Sequence, residues 1–158
     1  MSSVLLNSRE SFVEGYEYAR TKNKRIPRQK DSDGFNFKHP LYLLHLGGEA
    51  GAIVSEETHE IASLFNAGKK GLGKEVVKTA IAYGGTWLYA WSHLKHLIEY
   101  YESLGFERVI DVACWNSKEI CMTYLALPNH HDDIKIKTSS GCVSLNDYLV
   151  YTYEDVAS

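Results

Sequence analysis

Apolar residues fall at helical spacing from Arg9 to about Thr21, where Phe12, Val13, Tyr16 and Ala19 line one side. Ser8, just ahead of them, carries a side chain suited to cap that helix. The pattern then breaks. From Lys22 to His39 the chain is polar and basic, with Pro27 inside it and Pro40 at its end. This predicts a long loop, mobile when empty and able to cover a substrate. Three short apolar runs follow, "LYLLHLGG" from Leu41, "AGAIVSEE" from Ala50 and "HEIASLF" from His59. Their length, their β-branched and aromatic content and their close spacing predict three strands of an antiparallel meander.

Helical spacing returns at Val76, Val77, Ala80 and Ile81, and Gly84–Gly85 stops that helix. "TWLYAW", Thr86 to Trp91, reads as a buried strand. "SHLKHLIEYYESLG" reads as a helix with Ser92 as N-cap, Leu94, Leu97, Ile98 and Tyr101 on one face, and Gly105 at the C-terminal stop. "FERVIDVACW" and "EICMTYLAL" predict two strands around Asn116–Ser117. "PNHHDDIKIKTSSG" is loop-like, and "CVSLNDYLVYTYE" is a final strand or a surface arm. Strands joined through helices predict an α/β chain of the α+β kind, a mixed sheet with a parallel central pair. One domain is expected over residues 1–158, with its core at about 41–127, a basic loop at 22–40 and a C-terminal arm at 129–158.

Charge and composition narrow the function classes. The formal net charge is −3, so no global attraction to nucleic acid or acidic lipid is built in. The local basic run "ARTKNKRIPRQK", Ala19 to Lys30, reads as a solvated helix end or loop. Cys114, Cys121 and Cys142 have no C-x-x-C spacing and read as reduced thiols of a cytoplasmic protein. The N-terminus lacks the pattern of a signal peptide, and no apolar run approaches the ~20 residues of a membrane span. "NHHDD", Asn129 to Asp133, reads as a polar surface turn, with no spaced partner motif to make it a metal site. Tyr83, Trp87, Tyr89 and Trp91 read as core or pocket lining, not as a base-stacking platform.

The stretch "NAGKKGLGKEVVKTAIAYGG", Asn66 to Gly85, carries the chemistry. Glycines just before a helix leave backbone amides open at its positive end, which suits an anion. A nucleotide-hydrolysing P-loop needs a hydroxyl where Glu75 stands, and the dinucleotide fingerprint needs a third glycine that is missing.

"GKKGLGKEVVKTAI" and "EYYESLGFERV" together resemble the loop-and-helix and the tyrosine…glycine–phenylalanine signature of the GNAT superfamily of acyl-CoA-dependent acyltransferases. Gly71 and Gly73 fall on the loop motif, with Gly68 where the family usually has arginine or glutamine, and Leu94 stands where it often has asparagine. Tyr101, Gly105 and Phe106 fall on the second signature, and "TWLYAW" lies between the two as it does in the family. The resemblance spans about Leu41 to Leu127. It implies a GNAT-type fold, a mostly antiparallel sheet splayed at a central parallel strand pair.

It also implies a site. Lys69, Lys70, Gly71, Leu72, Gly73 and Lys74 would cradle the pyrophosphate of coenzyme A, and Leu64 and Phe65 would pair their backbone with the pantetheine arm. An amide near Leu64 would support the oxyanion, Tyr101 would protonate the leaving thiol, and Glu60 would take the amine's proton, with His59, Glu57 and His93 as further candidates. The implied activity is acyl transfer, acetyl for preference, from acetyl-CoA to a small-molecule or protein amine by direct attack. Two alternatives stay open: a non-catalytic binding protein of the same fold, and a nucleic-acid-modifying relative, which the acidic balance disfavours. No membrane partner is expected, and homodimer formation is left open.

Overall fold

The computed structural model describes residues 3–113, 120–138 and 141–149. The folded chain gathers into two compact units, Met1–Gly85 and Thr86–Ser158.

The first unit contains strand β1 (Val4–Asn7), helix α1 (Arg9–Lys22), strands β2 (Pro40–His45), β3 (Ala50–Ser55) and β4 (Ile61–Asn66), and helix α2 (Leu72–Ala82). The sheet runs β1-β2-β3-β4, each pair antiparallel. The expected meander is therefore present, joined by a first strand that its four residues were too short to signal. Ser8 caps α1 by accepting from the amide of Ser11 at 3.1 Å. Phe12, Tyr16 and Ala19 are buried together with Tyr42, Leu44, Ile53 and Phe65. Every residue of β3 is buried. Ile53 faces the α1 cluster, so alternation turns Ala52 and Val54 to the opposite face of the sheet, and α2, which packs on β3, buries Val76, Val77 and Ala80.

The basic segment between α1 and β2 is not a bare loop. It forms two 3-10 turns, Gln29–Asp31 and Asp33–Asn36, and buries Ile26. Phe35 stands in the aromatic cluster, 5.6 Å from Phe12 and 5.0 Å from Tyr16 between ring centroids. Its few apolar residues dock it on the sheet. Within it Arg28 pairs with Asp31, and at the end of α1 Arg20 pairs with Glu17 and Lys22 with Glu49.

The second unit holds β5 (Trp87–Trp91), α3 (Lys95–Ser103), β6 (Glu107–Ala113) and β7 (Ile120–Ala126), then β8 (Lys135–Thr138) and β9 (Gly141–Ser144), with residues 145–149 helical. Its three-stranded sheet is ordered β5-β7-β6, and β8 and β9 form a hairpin. Ile134, Ile136 and Leu145 are buried with Trp87, Val112 and Tyr124, so residues read as loop and arm supply core. The turn expected at Asn116–Ser117 lies outside the described residues.

Three expectations are corrected. All described ladders are antiparallel, and the parallel central pair is not among them; β4 and β5, on either side of α2, each find an antiparallel partner, β3 and β7. Ser92 does not cap α3: its hydroxyl bonds Thr123 at 2.8 Å, and Leu94 occupies the N-cap position. Cys121 is disulfide-bonded, whereas Cys142 is a free, exposed thiol, and Cys114 lies outside the described residues.

Candidate functional site

The loop between β4 and α2 is built by Asn66. Its side-chain oxygen accepts from the amide of Gly68 at 2.9 Å, and its side-chain nitrogen donates to the carbonyl of Lys69 at 3.1 Å. Gly71 then takes φ +103°, a value that glycine adopts freely, and starts the helix as its N-cap. Among the described residues, no acceptor meets the amides of Lys69, Lys70, Gly71, Gly73 and Lys74. Residues 68–71 and Lys74 are exposed, so neighbouring side chains leave the loop open. With the helix dipole behind them, these amides can bind an anion.

Two carboxylates oppose that. A Cβ on Gly68 would stand 2.3 Å from Glu49 Oε2, so glycine there makes room for Glu49. Lys22 holds the other oxygen of Glu49 at 3.1 Å and offsets its charge. Glu75, in the first turn of α2, accepts from the Ser3 hydroxyl at 2.6 Å.

Strand β4 ends its sheet, and among the described residues only β3 pairs with it. Gly51 faces Phe65 and Ile53 faces Ala62, so β4 carries one extra residue across two steps of β3. This bulge falls on Ser63 and Leu64 and takes one residue out of regular pairing. Ser63 accordingly has φ +54°. Leu64 is half-buried at the bulge, and Phe65 sends its side chain into the α1 cluster. Leu88, in β5, is laddered to Leu125, so Leu64 and Leu88 belong to different sheets.

Glu60 is buried at 2% exposure just before β4, and its carbonyl accepts from the amide of Ser55 at 2.9 Å. His59 next to it has φ +65° and is exposed, as are Glu57 and, in the second unit, His93.

Tyr101 belongs to the second unit, on α3, and is 6% exposed. Burial, with a smaller contribution from Tyr100, pushes its phenol well above the ordinary range. Burial thus favours the neutral, proton-bearing phenol. The end of α3 explains its neighbours. Phe106 N–H reaches the Tyr101 carbonyl at 3.2 Å, Gly105 N–H reaches Glu102 at 3.0 Å, and Gly105 takes φ +106°. This is a Schellman cap, and the Tyr101–Phe106 ring contact at 6.2 Å is its usual apolar clasp. Helix capping alone therefore accounts for the tyrosine…glycine–phenylalanine spacing.

In the histidine turn, His130 Nδ1 lies 3.0 Å from Asp133 and His131 Nε2 lies 3.0 Å from Glu107. No group of three such side chains among the described residues could hold a metal ion. No described helix is long and apolar enough to cross a membrane.

What sequence reasoning missed sits around the bulge: Ser63, with Ser32 and Gly34 laid against it. Serines in a strand and in a polar loop give no signal, because their meeting depends on the bulge and on the docking of the 3-10 turns.

The fold and site thus define an α+β chain with an anion-competent loop after a bulged edge strand. No protein-family model, curated protein or solved structure matches the chain.

Proposed function

We propose that this protein is an N-acyltransferase of GNAT type, moving an acetyl group from acetyl-CoA to an amine. The observation that carries the reading is the set of exposed, acceptor-less amides from Lys69 to Lys74, directly after a bulged edge strand. These amides fit a diphosphate, with Lys69, Lys70 and Lys74 adding charge around it. The free edge of β4 suits an extended, amide-bearing arm, which its backbone at Leu64 and Phe65 would pair like an added strand.

Bound acetyl-CoA supplies an activated thioester. The protein's own contribution is to hold and polarise. An amide released from the ladder at the bulge near Leu64 is the donor for the developing oxyanion, and such a donor is worth about 2.7–4 kcal/mol. By the resemblance alone, Tyr101, in the second unit and kept neutral by burial, is the candidate donor to the leaving sulfur. Glu60 is the candidate for receiving the amine's proton, directly or through water.

A second reading, a binding protein of the same kind without turnover, is favoured by one observation: a phenol raised as far as Tyr101 is a weaker acid than a leaving thiol calls for. Thiol release from acetyl-CoA across a panel of primary amines, with mass spectrometry of the products, separates the two. Release with an acetylated amine supports transfer. Coenzyme A binding without release supports the binding protein, and absence of coenzyme A binding removes both.

A further inference from the structure

Strand β1 ends the first sheet on one side, as β4 does on the other. The two edges are not alike. β4 carries the bulge at Ser63 and Leu64, which twists an edge out of flat pairing. β1 pairs with β2 residue for residue, from Val4 with His45 to Asn7 with Tyr42, and without a shift. Its sequence, VLLN, also lacks the charge or proline that usually keeps an edge from pairing with another chain. Leu5 and Leu6 are each 46% exposed, and Leu46, at the end of the same ladder, is 72% exposed.

The ladder fixes where the backbone of β1 points. The amide of Leu46 donates to the carbonyl of Ser3 at 2.8 Å, so Ser3 turns its backbone toward β2. In an antiparallel ladder the same side recurs at every second residue. Leu5 and Asn7 therefore face β2 as well. Leu6 points its N–H and carbonyl outward, where neither meets a partner among the described residues. Leu5 and Leu6 send their side chains to opposite faces of the sheet. The edge thus presents an open donor and acceptor with a leucine on each side of them.

We propose that β1 is the interface of a homodimer, in which β1 of a second copy lies antiparallel against it across a two-fold axis through Leu6. Three features select a second copy over a foreign strand. At the axis Leu6 meets its own counterpart, and each supplies the donor and the acceptor that the other needs. Their side chains meet apolar on apolar, with Leu5 of each copy in diagonal reach on the other face. No residue from Val4 to Ser8 is charged, so the axis brings no like charges together. The association also stops at two. The joined sheet has eight strands, four from each copy, and both of its ends are bulged β4 strands. The pairing engages neither the glycine loop nor the edge of β4, so it stands apart from the acyltransferase reading. So short a strand makes an interface below the standard ~800 Å² per partner, which sets Kd at about 10–100 µM.

Sedimentation velocity of the full chain from about 2 to 500 µM spans that range. Cys142, the exposed thiol, is alkylated beforehand so that no disulfide-linked dimer forms. A monomer–dimer equilibrium is expected. Leu6→Lys and Leu6→Glu each weaken it by at least about 10-fold, because like charges then meet at the axis. Mixed in equal amounts the two variants associate again, because the charges that meet are opposite. Hydrogen exchange of the unmodified sequence needs no variant to fold: the Leu6 amide should exchange about 3-fold more slowly at about 500 µM than at about 20 µM, and the Leu5 amide, which faces β2, should not change. A monomer across the whole range, which would leave the edge to a strand of another protein, overturns the proposal. So does a dimer equally tight in both Leu6 variants, a mixture that associates no better than either variant alone, or a Leu6 amide indifferent to concentration. An assembly that keeps growing beyond two copies overturns the closed two-fold arrangement.

Discussion

Replacing Gly71 by alanine separates the stability of the glycine loop from its capacity to bind. Gly71 sits at φ +103°, and nothing lies within 4 Å of the position its Cβ would take. The cost is therefore backbone strain alone, about 1–2 kcal/mol for an L-residue held left-handed. Fewer conformations in the unfolded chain return about 0.4–1 kcal/mol. The net loss is about 1 kcal/mol, a fall in urea midpoint of about 0.5 M for a typical slope of ~2 kcal/mol/M. Binding should suffer more. Relaxing the strain swings the amides around Lys70 and Gly71, and each charge-assisted bond to a phosphate oxygen is worth about 1.5–3 kcal/mol. Losing one of them weakens coenzyme A by about 10- to 100-fold in calorimetry. Gly71→Asn should cost less stability, because asparagine tolerates positive φ better than alanine. A Gly71→Ala protein that is destabilised as expected, yet binds coenzyme A with unaltered affinity, would refute the claim that these amides meet the ligand.

Three further outcomes are expected. Tyr101→Phe lowers kcat by about 10- to 100-fold with little change in coenzyme A affinity, and an unchanged rate in the thiol-release assay removes Tyr101 from the acid role. Tyr101 also makes stability pH-dependent. Its folded pKa is raised by burial above the unfolded value near ~10, so its contribution is whole below pH ~10 and declines by about 1.4 kcal/mol per pH unit above it. Urea midpoints measured from pH 8 to 11 should fall less steeply in Tyr101→Phe, and an identical slope contradicts the burial argument. Phe12→Ala removes the ring that touches Tyr16, Phe35, Tyr42 and Phe65, costing about 3–5 kcal/mol by chemical denaturation; a loss under about 1 kcal/mol would mean the cluster does not anchor the first unit.

The parts of the fold legible in sequence are those set by local physics. Phe12, Tyr16 and Ala19 announce α1, Ser8 caps it, and the runs at Leu41, Ala50 and Ile61 pair as antiparallel neighbours. Gly71 and Gly105 stand at positive φ where helices begin and end, as their sequence positions suggest. The parts that were not legible are set by pairing and docking. The strand "KIKT" after the histidine turn exists because "GCVS" pairs with it. Ser92 reads as a cap, but Thr123 across the sheet claims its hydroxyl, and Thr123 in turn donates to Asp111. The basic segment reads as solvated because its apolar residues are few, yet Ile26 and Phe35 suffice to dock it. At the site, the glycine loop could be read from its glycines. The bulge at Ser63 could not, since a register shift leaves no mark in composition or periodicity.

Calorimetric titration with coenzyme A and, in parallel, with pantetheine asks most directly whether the amides between Lys69 and Lys74 seat a diphosphate. The account predicts saturable binding of coenzyme A, weakened in Gly71→Ala, and far weaker binding of pantetheine, which has the arm but no diphosphate. Equal affinity for the two ligands, or no heat from either, would contradict it.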